Sequence, residues 1–523
     1  MHNSNTKFAD DTTGVSLITG DNETAYKEEV RDLAVWRRNN NSIPAAVTRT
    51  LRLTVHHRQT LSVALDGFVS GGRRFKSGAS RHVEHKKLYG PIWCSRFGPF
   101  DVVNVASPEL ISQVIRQEGR YPVRTELPHW KEYRDMRGQA YGLHVDKDLQ
   151  WYRIRSVLNP KMLKLAEVSA YAPVIHQVVG DLLQRIERLR LRSQDHTTVP
   201  DLTAELYKFG FEGISSILFE TRLGCLQEEI PKDTLKFIAA ANDMLTLSET
   251  VLFLPLWTRN VLPFWKRFIQ AWDDLVNVAQ RLIDHKLAQM DAQVLAGKQV
   301  EGMYLTYLLS CDKLTLREVY ICVTELLLGG VDTTSNTLSW ALYLLARDAA
   351  SQDRLYREIM SVCPGRQQPR SEDLSRMPYL KAVIKETLRM YPVVPGNGRL
   401  TVDNDVVVDN YWFPKKTQFH LCHYAASHDE GEFVDAECFK PERWLRGHPE
   451  SYQHHPYSSI PFGVGVRACV GKRVAELEMY FALSRLMQHY EIQPEDGAPT
   501  TEPKTRTLLI PSKPITLRFL PRA

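Results

Sequence analysis

The stretch TLREVYICVTELLLGGVDTTSNTLSWALYLLARD, residues 315–348, constrains the fold more than any other part of the chain. Hydrophobic residues cover nearly its whole circumference, which predicts a long helix buried on all sides. Such a helix needs other helices around it, and amphipathic candidates are VIHQVVGDLLQRIERLRL (174–191), FIQAWDDLVNVAQRLIDHKLAQM (268–290) and VAELEMYFALSRLMQHY (474–490). Strand-like segments such as NDVVVDNYWFP (404–414) are short. We therefore expect one large, mainly helical domain with a small β portion.

Composition and charge exclude several classes of protein. Of the 523 residues, 43% are hydrophobic and 10% aromatic, which is enough for a large buried core. The 66 basic and 61 acidic residues leave a net charge of +5, a balance that does not favour nucleic acid as the main partner. The eight cysteines have no paired spacing, which favours a reducing compartment. No run of 18 apolar residues occurs, so we expect no membrane-spanning helix.

The net charge of the N-terminal region changes sign along its length. Residues 1–30 carry six acids and two bases, whereas residues 31–87 carry twelve bases and three acids. Basic, serine-containing and acid-poor sequence is typical of a mitochondrial presequence, although here it is displaced inward; a disordered basic leader is the alternative. We predict an atypical leader over 1–87, presequence-like over 31–87, and a globular domain over 88–523.

Two features inside the long helix break the rules of a buried helix. Adjacent Gly329 and Gly330 each cost about 1 kcal/mol in a helix interior, and the charge of Asp332 is expensive there unless it has a partner. Such departures are expected where something binds or reacts. The alternative is a local kink in which Thr333 bonds back to a carbonyl.

A second feature is the loop PFGVGVRACVG, residues 461–471, which presents one cysteine among three glycines. The glycines allow close approach of the backbone to a bulky group. From the residues alone, Cys469 is a nucleophile, a ligand to a metal or cofactor, or a buried structural thiol.

Two further motifs combine an acid with arginines. KETLR sets Glu386 and Arg389 three residues apart on one helical face, and FKPERW supplies Arg443 later in the chain. A buried cluster of these three would act as a structural clamp, because arginine can bridge a carboxylate and nearby carbonyls. An ordinary surface pair is the alternative for KETLR.

In this order and at these intervals, GGVDTT, KETLR, FKPERW and FGVGVRACVG resemble the motifs of the cytochrome P450 family, the haem-thiolate monooxygenases. The resemblance runs from about Leu88 to the C-terminus. It implies the family fold, with haem b held between the long helix and the helix after the cysteine loop. It also implies that Cys469 is the axial thiolate ligand of the iron.

The same resemblance assigns roles to other residues. Asp332 and Thr333 match the acid–alcohol pair that relays protons to bound oxygen. Positions matching the family's haem-contacting residues, several of them facing the propionates, are Trp151 and Arg155 in WYRIR, Arg399 in GNGRL, and Phe462 and Arg467 in the cysteine loop.

GVRACVGKRVAELEM resembles the mitochondrial class of the family, which receives electrons from NADPH through a ferredoxin reductase and a [2Fe–2S] ferredoxin. Positions matching the surface that binds the acidic ferredoxin are Lys381, Lys385, Lys472 and Arg473. Without the resemblance, these side chains would be interpreted as a solvated basic face.

YGPIWCSRFGPFDVVNVASPEL, WKEYRDMRGQAYG and CHYAAS resemble the sterol 27-hydroxylase family, also called sterol 26-hydroxylase. This implies hydroxylation of a terminal side-chain methyl of cholesterol and bile-acid intermediates. A vitamin D hydroxylase, a retinoid-oxidising enzyme and a haem protein without turnover are the alternatives. FLPLWTRNVLPFWKRF (253–268) favours peripheral membrane contact, with a core-packing helix pair as the alternative. The expected location is the matrix face of the mitochondrial inner membrane.

Overall fold

The computed structural model describes residues 78–522 except 98–99, 299–301, 452–453 and 499, all within one compact unit. The presequence-like segment lies outside the described residues up to position 77. The helices are α1 (Gly78–Tyr89), α2 (Pro108–Arg116), α3 (Pro128–Arg137), α4 (Gly142–Val145), α5 (Asp148–Leu163), α6 (Leu165–Ser169), α7 (Ala172–Arg192), α8 (Leu202–Phe219), α9 (Lys232–Phe253), α10 (Phe264–Leu295), α11 (Leu305–Leu309), α12 (Leu316–Arg347), α13 (Ala349–Val362), α14 (Pro378–Met390), α15 (His423–Ser427) and α16 (Lys472–His489).

The strands are short and mostly lie in the first and last thirds of the described chain. They are β1 (Ile92–Phe97), β2 (Phe100–Val105), β3 (Thr198–Val199), β4 (Asn397–Leu400), β5 (Val406–Val408), β6 (Tyr411–Phe413), β7 (Gln418–Leu421), β8 (Tyr490–Pro494), β9 (Pro503–Arg506), β10 (Leu508–Pro511) and β11 (Leu517–Pro521). The prediction of a mainly helical single domain with a small β portion is confirmed.

The central element is α12, which runs without interruption through the glycine pair. It starts at a capping box, in which the Thr315 hydroxyl accepts from the backbone of Glu318 and the Glu318 carboxylate accepts from the backbone of Thr315. Most of its side chains are buried, and it packs against α8, α10, α14 and α16. The apolar circumference seen in the sequence is therefore covered by helices on several sides.

The largest sheet has the strand order β1-β2-β7-β4. β1 and β2 form an antiparallel hairpin, β2 pairs with β7 in parallel, and β4 runs antiparallel to β7. Beside this sheet, α1 packs against β1 and α15, so the predicted boundary at residue 87/88 falls inside a helix. None of the described helices combines the length and hydropathy that a membrane crossing requires.

Candidate functional site

The cysteine loop is a tight structure that ends at the start of α16. Gly463 and Gly465 have φ of 67° and 70°, values that favour glycine. The backbone N–H of Cys469 donates to the carbonyl of Phe462 at 2.8 Å, which closes the loop. Burial raises the pKa of the Cys469 thiol, whereas backbone N–H groups of Gly471 and Lys472 favour its thiolate. The sulfur therefore lies beside a helix N-terminus, an arrangement that stabilises negative charge.

Three arginines from separate parts of the chain fasten this loop by its carbonyl oxygens. Arg155 of α5 donates to the carbonyl of Ala468 at 2.6 Å. Arg124, which precedes α3, donates to the carbonyl of Arg467 at 2.9 Å. Arg399 of β4 donates to the carbonyl of Val464 at 3.3 Å. The structure thus brings Arg155 and Arg399 to the cysteine loop, together with an arginine that the sequence motifs did not mark.

Arg467 adds a fourth guanidinium from within the loop. Its Cζ lies 3.5 Å from the centroid of the Trp151 ring, a cation–π contact, and its Nε donates to the carbonyl of Pro122 at 2.5 Å. Burial, followed by repulsion from Arg124 and other arginines, lowers the pKa of Arg467 to about 9. Burial, followed by repulsion from Arg124, lowers the pKa of Arg155 to about 10.

The arginine cluster carries more positive charge than its surroundings neutralise. Glu118 pairs with Arg399, but in the described part of the chain no carboxylate forms an ion pair with Arg124, Arg155 or Arg467. A buried surplus of cations is costly unless an anion accompanies it. The two negatively charged propionate groups of a haem would fit the charge of this site.

Gly329 makes an opening in the otherwise covered surface of α12. It is exposed, and apart from the neighbouring residues and backbone of α12 itself no heavy atom of the described chain lies within 4 Å of where its Cβ would be, whereas Gly330 packs against Ile214. Thr333, one turn later, is only half-buried, and its hydroxyl donates to the carbonyl of Gly329 at 2.7 Å. Open space in the middle of a buried helix leaves room for a ligand next to this hydroxyl.

Asp332 has different surroundings from Thr333. Its Oδ1 accepts from Tyr207 of α8 at 2.9 Å and from Arg506 of β9 at 2.6 Å, and the side chain is buried. Burial raises the pKa of Asp332, while Arg506 opposes the rise. The carboxyl is therefore anchored to the neighbouring helix and strand, and the structure brings Asp332 and Thr333 together only as sequence neighbours on α12.

Glu386, Arg389 and Arg443 form one buried cluster. The Glu386 carboxylate accepts two hydrogen bonds from Arg389, at 2.8 and 2.9 Å, and one from Arg443 at 3.0 Å. It also accepts from the Trp444 indole at 2.8 Å and from the backbone N–H of Lys440 at 3.0 Å. All three charged side chains are at most 3% exposed, and the two arginines share the single carboxylate of Glu386 inside the protein.

The four residues expected at the ferredoxin surface lie on two helices. Lys381 and Lys385 are on α14, and Lys472 and Arg473 begin α16; we call these four the basic patch. Partial burial lowers the pKa of Lys385, and repulsion from Lys472 and Lys381 adds to it. Lys381, Lys385 and Lys472 are therefore close enough to interact, while Arg473 hydrogen-bonds Glu476 at 3.2 Å.

The segment expected to contact a membrane exposes apolar side chains. Leu256, Trp257 and Val261 are 69%, 69% and 71% exposed; we call them the apolar patch. They lie on or just after a short 3-10 helix, Leu256–Asn260, between α9 and α10. Phe268, further along, is fully buried in the core. The segment thus divides into an exposed part and a packed part.

Sequence reasoning missed two arginines of these clusters, Arg124 and Arg506. Each is remote in sequence from the group it binds, since 343 residues separate Arg124 from Arg467 and 174 separate Arg506 from Asp332. The local signal is weak in both cases: a lone arginine in YPVRTE and another in the strand-like KTRTLLI. Only the fold places them.

The comparisons with known proteins agree on one family. A family model described as cytochrome P450 matches residues 70–519. The mitochondrial sterol 26-hydroxylases of Rattus norvegicus and Homo sapiens are 44% and 45% identical, over 84% of this chain and 83% and 84% of their own lengths. The mitochondrial 25-hydroxyvitamin D-1 alpha hydroxylase of Homo sapiens is 42% identical over 86% of this chain and 89% of its own. A crystal structure of a cytochrome P450, CYP102L1, superposes with a TM-score of 0.69 at 24% identity, covering 85% of this chain and 95% of that one.

Proposed function

This chain belongs to the cytochrome P450 family and is a haem-dependent monooxygenase, and we propose that it hydroxylates a terminal side-chain methyl of cholesterol and bile-acid intermediate sterols. The substrate proposal rests on the similarity to two sterol 26-hydroxylases, which are 44% and 45% identical over 84% of this chain. Vitamin D is the second candidate, because a 25-hydroxyvitamin D-1 alpha hydroxylase is 42% identical.

Cys469 is the residue that we assign as the one whose thiolate would bind the haem iron. It lies in the loop fastened by Arg124, Arg155 and Arg399, and the N–H groups that precede α16 support its thiolate. When bound, the haem supplies the activation of O₂ and the insertion of one oxygen atom into a C–H bond. Phe462 holds the loop closed through its carbonyl, and Lys472 lies 5.4 Å from the centroid of its ring.

The arginine cluster would bind the haem propionates. Arg155, Arg399 and Arg467 would neutralise these carboxylates by charge-assisted hydrogen bonds, and we add Arg124 to this set. The face of the Trp151 ring packs against the Arg467 guanidinium. Because each guanidinium also binds a loop carbonyl or Pro122, the same contacts hold the cysteine loop in place.

Thr333 is the residue we assign to proton delivery at the oxygen-binding face. Its hydroxyl lies beside the open space at Gly329 and can pass a proton from one neighbour to another. The resemblance to the family assigns Asp332 as the acid that supplies it; burial raises the pKa of this carboxyl, and the ion pair with Arg506 opposes the rise. Arg506 and Tyr207 fix the position of this carboxyl.

We further propose that electrons come from NADPH through a ferredoxin reductase and a mitochondrial ferredoxin that docks on the basic patch. Opposite charges steer this encounter, so it weakens as salt is added. The apolar patch enters the membrane interface, where a lipophilic sterol is available. The location we propose is the matrix face of the mitochondrial inner membrane, in keeping with the mitochondrial relatives.

Substrate titrations distinguish the two candidates before any turnover is measured. Cholesterol, a bile-acid precursor triol and 25-hydroxyvitamin D3 are each added to the purified enzyme, and the shift of its Soret band is followed. We expect the sterols to bind at least tenfold more tightly, a difference of about 1.4 kcal/mol. Tighter binding of the secosteroid would transfer the assignment to vitamin D.

A further inference from the structure

Two histidines and a cysteine outside the cysteine loop meet beside the largest sheet. His420 lies in β7, Cys422 follows that strand, and His82 comes from α1. One ligand atom from each of the three lies within 4.8 Å of the other two. We propose that these side chains, with the amide oxygen of Asn104, form a Zn²⁺ site that fastens α1 to the sheet.

The strand geometry explains why two of the ligands point the same way. Residues 420 and 422 are two apart on an extended chain, so their side chains lie on one face. Asn104 of β2 is the register partner of His420 in the parallel β2–β7 pair, which brings its amide beside them. The His82 ring meets the His420 ring edge-on, with centroids 4.9 Å apart.

The distances between the donor atoms match a tetrahedral zinc site. The Cys422 Sγ lies 3.5 Å from the His420 Nδ1, and the Asn104 Oδ1 lies 3.4 Å from that nitrogen and 3.7 Å from the sulfur. Bonds of about 2.3 Å to sulfur and about 2.0–2.2 Å to nitrogen and oxygen at tetrahedral angles place these atoms roughly 3.3–3.6 Å apart. The three atoms therefore need little movement to coordinate one ion.

Neighbouring groups hold these donors in the required orientation. The Asn104 Nδ2 donates to the Ser95 hydroxyl at 2.9 Å and to the carbonyl of Val102 at 3.3 Å, so the amide oxygen faces the sulfur. A Cβ at Gly396 would lie 2.1 Å from the His420 Nε2, so a glycine is needed to admit this ring. Support of the ligands by such outer contacts is a regular feature of metal sites.

One nitrogen of the cluster has no hydrogen-bond partner in the described part of the chain. The Nδ1 of His82 is buried and makes no hydrogen bond within the described part of the chain, a costly state that coordination of the ring can compensate. Cys422 is fully buried in a small cluster with Trp93 and Ala106, separate from the loop of Cys469. A thiolate and two imidazoles are the donors that zinc prefers.

Metal analysis of the haem-loaded, full-length protein tests the proposal. The protein is incubated with ZnCl₂, desalted, and its zinc and iron are measured by mass spectrometry. We expect about one zinc per chain, lost in Cys422→Ser and in His82→Ala but retained in Cys438→Ser, which changes an exposed cysteine. The reduced CO spectrum shows that each variant is folded and is independent of zinc.

A second measurement reports the structural consequence. Hydrogen exchange of α1 should be slower with zinc than after chelation, and this difference should disappear in His82→Ala. X-ray absorption at the zinc edge should show one sulfur and two imidazole ligands. Zinc no higher in the wild type than in Cys422→Ser, or zinc retained in both variants, would overturn the proposal and leave a thiol–imidazole hydrogen bond only.

Discussion

Replacing Glu386 by glutamine removes one charge from the centre of a buried cluster while preserving its shape. The carboxylate accepts three hydrogen bonds from Arg389 and Arg443 and two more from Trp444 and Lys440. Without it, two guanidinium groups that are at most 3% exposed lose their counter-ion. Breaking a buried pair in this way costs about 3–5 kcal/mol, a large part of the roughly 5–15 kcal/mol that stabilises a typical protein.

We expect Glu386→Gln to lower the apparent melting temperature by roughly 3–5 °C and to accelerate haem loss. The assay is circular dichroism at one fixed scan rate, since a protein of this size often unfolds irreversibly, with the reduced CO spectrum as a measure of intact haem site. Asp353→Asn is the matched control, because Asp353 forms an ion pair with Arg357 at exposed positions i and i+4 of α13. This variant should leave the melting temperature unchanged. A Glu386→Gln protein that melts like the wild type and keeps its haem would refute the clamp.

Three further predictions address the proton path, the partner surface and a buried acid. Thr333→Ala should divert electrons to peroxide and lower the amount of product formed per NADPH consumed by roughly tenfold or more; the measured quantity is the yield of peroxide. Lys385→Glu should raise the KM for ferredoxin by roughly tenfold at low salt and by much less at high salt, measured in steady-state turnover. Glu478 is 1% exposed, and burial raises its pKa to about 8. In thermal melts, Glu478→Gln should therefore be more stable than the wild type at pH 8 and no more stable at pH 5.

The sign of the Glu478 prediction follows from where the proton is held. In the unfolded chain the carboxyl ionises near pH 4.5, whereas in the folded chain it keeps its proton to about pH 8. Between these values the unfolded state binds fewer protons, so stability falls by about 1.4 kcal/mol per pH unit as pH rises. A glutamine has no proton to lose. Equal melting curves for the two proteins at pH 8 would contradict the burial of an uncharged acid here.

The controls for the other two variants use neighbouring positions. Thr337→Ala changes a hydroxyl one turn further along α12 that donates to the carbonyl of Thr333 and lies away from the opening at Gly329, so coupling should stay normal. Unchanged coupling in Thr333→Ala would contradict its role. Lys298→Glu reverses an exposed charge just after α10, and an equal rise in KM there would show a general charge effect.

Hydrophobic periodicity was sufficient to predict the main helices. The apolar segments starting at residues 174, 268, 315 and 474 become α7, α10, α12 and α16 with ends within a few residues of the sequence estimate. Long amphipathic segments give strong local signals, which is why these elements were predictable.

The sites were less predictable because they depend on contacts between remote segments. Resemblance to a family marked Cys469 and Arg467, but no motif marked Arg124, which reaches the loop across 343 residues. The sequence around these residues does not indicate that Asp332 pairs with Arg506, or that His82 lies close to Cys422. Such pairings follow from the path of the whole chain, and a single sequence does not specify them residue by residue.

The central claim is that this enzyme adds oxygen to the end of a sterol side chain through a haem held by Cys469. Its most direct test is turnover with NADPH, ferredoxin reductase and mitochondrial ferredoxin, with cholesterol, the precursor triol, vitamin D3 and retinol offered in parallel. Mass spectrometry locates the added oxygen, and Cys469→Ser serves as the inactive reference. The account predicts a terminal-methyl alcohol from the sterols that requires ferredoxin. Product from only vitamin D3 or retinol, or no sterol product from a protein with an intact CO spectrum, would contradict it.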